Sequence, residues 1–128
     1  MFKAELGENG VVFNGPDEQY VAGRAIGAEG GIGGTYGVMP ELFLKMEQLI
    51  REGRHAEACR VQYDVNEIIY SLCACHGNLY AVMKKVMEQR EGLKLGGVRA
   101  PLANVIESDQ AQIEKCADMI TAAIARHC

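Results

Sequence analysis

No apolar run in this 128-residue sequence is long enough to cross a bilayer. The N-terminal stretch Phe2-Lys3-Ala4-Glu5-Leu6 lacks the apolar core of a signal peptide. The chain also lacks any block of like charge. Its net charge is −4, with acidic and basic residues interspersed, which excludes a nucleic-acid surface and a basic membrane patch. A disulfide framework is missing too. The five cysteines, Cys59, Cys73, Cys75, Cys116 and Cys128, are odd in number and irregularly spaced. Reduced thiols in a cytoplasmic protein are the expectation. There is no internal repeat and no low-complexity tract.

What is present divides into two kinds of chain. Most of the 15 glycines lie before Pro40, and the remainder reads as helix. The 48% hydrophobic content is that of a globular protein with a packed core. Residues 1–6 read as the end of an amphipathic helix, broken by Gly7 and Gly10. Val11-Val12-Phe13 is a short apolar run bounded by glycine and reads as a buried strand. A helix opens at Asp17 or Glu18 and stops at Gly27. The segment from Gly30 to Thr35 is the second strand candidate. Helices follow from Pro40 to about Glu52, from His55 to about Cys75, and from Leu79 onward. Residues 92–107 form a connection, and Ser108 is the expected N-cap of the last helix.

Two strands, each followed by a helix, predict parallel pairing. Parallel sheets are covered on both faces, and two strands leave both edges open. The expectation is therefore an incomplete α/β unit whose further strands lie in other polypeptide, or one that self-associates as a homo-oligomer.

Three groups invite a chemical reading. Asn14-Gly15-Pro16-Asp17-Glu18 lies where a strand hands over to a helix, the functional end of an α/β sheet. Its carboxylates suit either helix capping through the dipole or hydrogen bonds from a polyol. The glycine cluster of residues 27–37 fails the dinucleotide fingerprint, because Tyr36 stands at the third glycine position. It also fails the phosphate-loop pattern. Tight packing and close approach of a ligand both remain open for it. Cys73-Ala74-Cys75-His76 lacks metal-ligand spacing and reads as buried structural cysteine. No metal or cofactor is expected. His55 and His127 read as exposed surface histidines.

The run Val11-Val12-Phe13-Asn14-Gly15-Pro16-Asp17-Glu18, followed by Ala28-Glu29-Gly30-Gly31-Ile32-Gly33-Gly34-Thr35-Tyr36, resembles the last two strands of N-acetylneuraminate lyases. These belong to the dihydrodipicolinate synthase superfamily of (β/α)8 barrels. Gly53-Arg54-His55-Ala56-Glu57-Ala58 and Val98-Arg99-Ala100-Pro101-Leu102 resemble that family's later connections. The resemblance covers the whole chain but about the last two-fifths of a typical member.

The resemblance implies an α/β fold that is part of a TIM barrel. Residues 1–53 would be the last two βα units, and residues 54–128 a C-terminal helical extension of the same domain. It implies a class I aldolase cleaving N-acetylneuraminate, or a related 2-keto sugar acid, to pyruvate and N-acetylmannosamine. Dihydrodipicolinate synthase-like aldolases of other specificity are the alternative within the superfamily. The family's Schiff-base lysine, its proton-shuttling tyrosine and its carboxylate-binding loop belong to earlier strands. No catalytic residue is therefore expected in this chain, and the isolated chain is expected to be inactive. The sugar-side contacts map onto Gly15, Asp17, Glu18, Gly33 and Gly34. At position 34 the family commonly has serine, so a hydroxyl contact is lost.

Overall fold

The structure, a computed structural model, describes residues 2–128. Helix α1 (Phe2–Leu6) leads to strand β1 (Phe13–Asn14), a 3-10 turn (Asp17–Gln19) and α2 (Tyr20–Ala25). Strand β2 (Gly30–Gly31) follows, then a 3-10 turn (Thr35–Gly37), α3 (Pro40–Arg51), α4 (His55–Cys73) and α5 (Leu79–Glu91). A last 3-10 turn (Glu107–Asp109) opens into α6 (Gln110–His127). The chain forms two compact units, one up to Tyr63 and one from Asp64 onward, and α4 contributes to both.

In the first unit β1 and β2 pair in parallel, with Phe13 opposite Gly30 and Asn14 opposite Gly31. The strands are shorter than the sequence suggests, and β1 is not buried. Val11 is 63% exposed and Phe13 58%. The physical reason is the small sheet. Alternate side chains of a strand point to opposite faces, and α2 packs on both strands, but among the described residues no further strand extends the sheet. The reading of Gly30 to Thr35 as one strand also needs correction. The strand ends at Gly31, one further ladder bond is made by Ile32, and Thr35 begins a 3-10 turn instead.

Helix α3 follows from its sequence. Pro40 occupies its first turn, and Leu42, Phe43, Met46 and Leu49 recur at helical spacing and are buried. Each such side chain contributes about 1.5–3 kcal/mol on burial. Gly53 ends the helix region with φ +74, a conformation that favours glycine. Tyr20, Tyr36 and Phe43 form an aromatic cluster. Tyr36 stacks on Phe43 with centroids 3.9 Å apart, and Tyr20 meets both rings edge-on.

Two polar devices fix α2. The buried amide of Gln62 accepts from Val21 N (3.1 Å) and donates to the Asp17 carbonyl (3.1 Å), which closes the first turn of the helix. Glu47 on α3 accepts from Arg24 Nε (2.8 Å), Arg24 Nη2 (3.0 Å), Tyr20 Oη (2.7 Å) and Arg51 Nε (2.7 Å). Burial pushes the Glu47 carboxyl up, but the hydrogen bonds from Arg24, Tyr20 and Arg51 outweigh it and hold the group at about 2.

In the second unit α5 and α6 pack on one another. Val65, Ile68, Ile69, Leu72, Val82, Val86, Ile113, Cys116 and Ile120 are buried. Asn78 caps α5, its side chain accepting from Tyr80 N at 3.0 Å. Ser108 is not the cap of the last helix. Asp109 stands at the N-cap position but makes no side-chain bond to the helix; its buried carboxylate instead accepts from His76 N (2.7 Å), Gly77 N (3.0 Å) and Ile106 N (3.1 Å). Burial raises the Asp109 carboxyl, but these three N–H groups hold it below the usual carboxylate range.

The cysteine and histidine readings change as well. Helix α4 ends at Cys73, which is exposed, and Cys75 is half-buried in the following turn. Burial, then the charge of Asp109, pushes the Cys75 thiol up to about 11. His127 is not a free surface residue. Its Nε2 lies 2.7 Å from Asp64 Oδ2, which Arg126 also contacts at 2.6 Å.

Two outcomes follow for stability. Asp109→Ala removes an acceptor shared by three backbone N–H groups and lowers the unfolding free energy by about 3 kcal/mol, whereas Ser108→Ala changes it by less than about 0.5 kcal/mol. Urea denaturation of the two variants measures both. Glu47 has a lowered folded-state pKa, so its stabilisation is complete above its ordinary value of 4.5 and is lost as pH falls toward about 2. In acid titrations followed by circular dichroism, Glu47→Gln flattens the stability loss in that window.

Candidate functional site at the strand ends

Parallel pairing brings the C-terminal ends of β1 and β2 to one edge. The ladder is extended by Glu29 N to the Val12 carbonyl (2.9 Å) and Ile32 N to the Asn14 carbonyl (3.0 Å). After β1 the chain turns at once. Asn14 Nδ2 donates to the Pro16 carbonyl at 2.7 Å, and the Asn14 side chain fills the space where a Cβ on Gly23 would stand. Pro16 then places Asp17 and Glu18 in the 3-10 turn that enters α2.

Asp17 is 8% exposed. Its Oδ2 accepts two bonds from one residue of the other connection, Thr35 N (2.9 Å) and Thr35 Oγ1 (2.6 Å). Its Oδ1 is buried and has no hydrogen-bond partner among the described residues. That oxygen lies against Gly33, where any Cβ would overlap it. Gly33 is glycine because Asp17 occupies its side-chain space. Gly34 differs. Its φ −71 and ψ −41 are ordinary right-handed helical values, open to any residue.

The other residues expected from sequence flank this contact. Glu18 is half-buried, and Gly15 is exposed with open space where a side chain would stand. The structure thus joins Asp17 to Gly33 across two connections, with Gly15 and Glu18 beside Asp17 in the chain and Gly34 beside Gly33. Thr35 was missed as a member of the group, because it reads as a strand residue. Its sequence signal is a hydroxyl residue directly after a glycine run, where a new helical turn starts. Tyr36 packs its ring next to Gly31. Burial, then the charge of Asp17, pushes the Tyr36 hydroxyl up to about 12, so it remains a neutral phenol.

Among the described residues no group of three His, Cys, Asp or Glu could hold a metal ion. The lysines Lys3, Lys45, Lys84, Lys85 and Lys115 lie in helices, and Lys94 lies in the connection after α5. An apolar groove of about 240 Å³ opens beside β1, lined in part by Phe2, Val12, Phe13 and Ile26. It is separate from the Asp17 carboxylate, which is not in its lining. Chemically, the strand-end group offers hydrogen-bond acceptors and open backbone, the equipment for holding hydroxyl groups.

The contrast between the two glycines is measurable. Gly33→Ala forces Asp17 aside and destabilises the chain by about 1–3 kcal/mol. Gly34→Ala leaves stability unchanged or raises it by about 0.4–1 kcal/mol, through the smaller entropy of the unfolded chain. Thermal and urea melts of the two variants separate these effects.

Comparison with known proteins agrees with this geometry. Residues 1–120 match the model of the dihydrodipicolinate synthetase family. The chain is 52% identical over 120 residues to N-acetylneuraminate lyase of Mediterraneibacter gnavus, covering 94% of this chain and 38% of that protein. It is 34% identical over 97 residues to N-acetylneuraminate lyase of an Enterobacter species, covering 76% of this chain and 32% of that protein. Wild-type sialic acid aldolase of Ruminococcus gnavus superposes with a TM-score of 0.99 at 49% identity, covering all of this chain and 42% of that one. The chain thus spans about two-fifths of the length of the two gnavus relatives. In sequence and in backbone geometry, this chain belongs to the dihydrodipicolinate synthetase family.

Proposed function

We propose that this chain is the sugar-binding part of an N-acetylneuraminate lyase-type class I aldolase. It supplies the last two βα units of a (β/α)8 barrel and the helices that follow. The parent enzyme cleaves N-acetylneuraminate, or a related 2-keto sugar acid, into pyruvate and an N-acylhexosamine. The observation that carries the reading is the buried Asp17 Oδ1, without a protein donor and set at the strand ends. A buried carboxylate oxygen needs a hydrogen-bond donor, and the hydroxyl of a bound sugar is one. Glu18 adds a second acceptor beside it. Gly15 and Gly33 leave backbone accessible at the same edge, and Gly34 presents no hydroxyl of its own.

The covalent step needs an amine held in a low-dielectric strand-end pocket, where its pKa falls enough for attack on the keto group. No lysine of this chain ends a strand. In the proposal the Schiff-base lysine therefore belongs to polypeptide outside these residues. One solved relative is a catalytic lysine mutant of Ruminococcus gnavus sialic acid aldolase, which fits an enzyme class that depends on that group.

A chimera tests the assignment. This chain replaces the matching C-terminal residues of the Mediterraneibacter gnavus lyase. The chimera is expected to cleave N-acetylneuraminate, and Asp17→Ala within it to lower kcat/KM by about tenfold to hundredfold, the value of a charge-assisted hydrogen bond. The isolated chain, treated with pyruvate and borohydride, gains no mass. A stable adduct on it would overturn the external placement of the lysine.

A second reading is favoured by the exposed Phe2, Leu6, Val11, Phe13, Ile26 and Ile32. Such an apolar surface on a soluble protein needs a cover, and self-association of a non-catalytic half-barrel provides one. Light scattering on the isolated chain distinguishes the two. A monomer at all concentrations rules out the second reading.

A further inference from the structure

The two oxygens of Asp17 stand in unlike surroundings. Oδ2 is held by both donors of Thr35, the backbone N–H and the hydroxyl. Oδ1 is buried over Gly33 with no partner among the described residues. Rotation about the terminal carboxylate torsion is soft, so on its own the group would not keep the same oxygen over Gly33. Two donors converging on a single oxygen resist that rotation. They come from the connection after β2, whereas Asp17 follows β1. The carboxylate orientation is therefore set by the register of the two strands. Thr35 is 1% exposed, so its hydroxyl has no competing water.

We propose that Thr35 is a positioning residue, which fixes the Asp17 carboxylate so that Oδ1 alone meets the ligand. The proposal rests on the sugar-site reading of Asp17. It adds a rule of recognition. With Oδ2 already carrying two donors, the oxygen that remains is an acceptor only. The ligand atom opposite it must donate a hydrogen, as a hydroxyl does. An ether, an O-acylated position or an anionic oxygen is rejected there, because each places lone pairs against a carboxylate.

Thr35→Val keeps the volume and the backbone donor but removes the hydroxyl. Thr35→Ser keeps the hydroxyl. Binding of N-acetylmannosamine to the full chain is followed through the amide resonances of Glu18 and Gly33, at a temperature where all three proteins are folded. Thr35→Ser is expected to bind within about twofold of the native chain, and Thr35→Val to bind at least about tenfold more weakly. A purely structural role would not separate the two variants in this way. Equal behaviour of the two variants overturns the positioning role alone. No response of Glu18 or Gly33 in the native chain overturns both that role and the sugar-site reading beneath it.

Discussion

A carboxylate held between two chain connections is the constraint on which the strand-end region depends. The sheet is too short to impose order. Each strand has two residues, and half of the β1 side chains face outward. Hydrogen bonds of a pair this small are worth little net free energy. What fixes the two connections is Asp17 reaching from one to Thr35 on the other, together with Gly33, which gives the carboxylate room. Gln62 supports the same turn from α4 by satisfying Val21 N and the Asp17 carbonyl. Without these bridges, the first turn of α2 would carry unsatisfied buried backbone groups.

The second unit uses the same device for a different end. Asp109 gathers His76 N, Gly77 N and Ile106 N, and so ties the turn after α4 to the start of α6. In both units a buried acidic group is bonded by donors from another segment rather than by a cation. Glu47 shows the contrasting solution, a carboxylate gripped by Arg24 and Arg51. Of Asp17, Asp109 and Glu47, it is Asp17 that has a buried oxygen without a hydrogen-bond partner among the described residues. That asymmetry sets the Asp17 carboxylate apart from the other two.

Legibility in the sequence followed the range of the interaction. Helices α3 to α6 were readable because their signals are local: Pro40 at a first turn, a connection opening at residue 92, and apolar residues three and four apart. Parallel pairing was readable from two strand-to-helix handovers. The strand boundaries were not, since Gly30 and Gly31 carry no side-chain pattern and Val11 and Phe13 look like core residues without being covered. Ser108 resembled a cap, yet the buried bonds at this turn come from Asp109, to N–H groups more than thirty residues away. Asp17 and Glu18 were marked by their position after a strand and by family resemblance. Thr35 was not, because its partner lies 18 residues earlier and only the folded register brings them together.

The two adjacent glycines after β2 have opposite freedoms, and this gives the region an evolutionary grammar. Positions 17 and 33 form a single steric unit, since a side chain at Gly33 would meet the Asp17 carboxylate. Position 34 stands outside that bond, with a backbone any residue can adopt. Mutational drift at this edge is therefore channelled. A larger group at position 33 requires a smaller one at position 17, while the backbone at position 34 imposes no such condition.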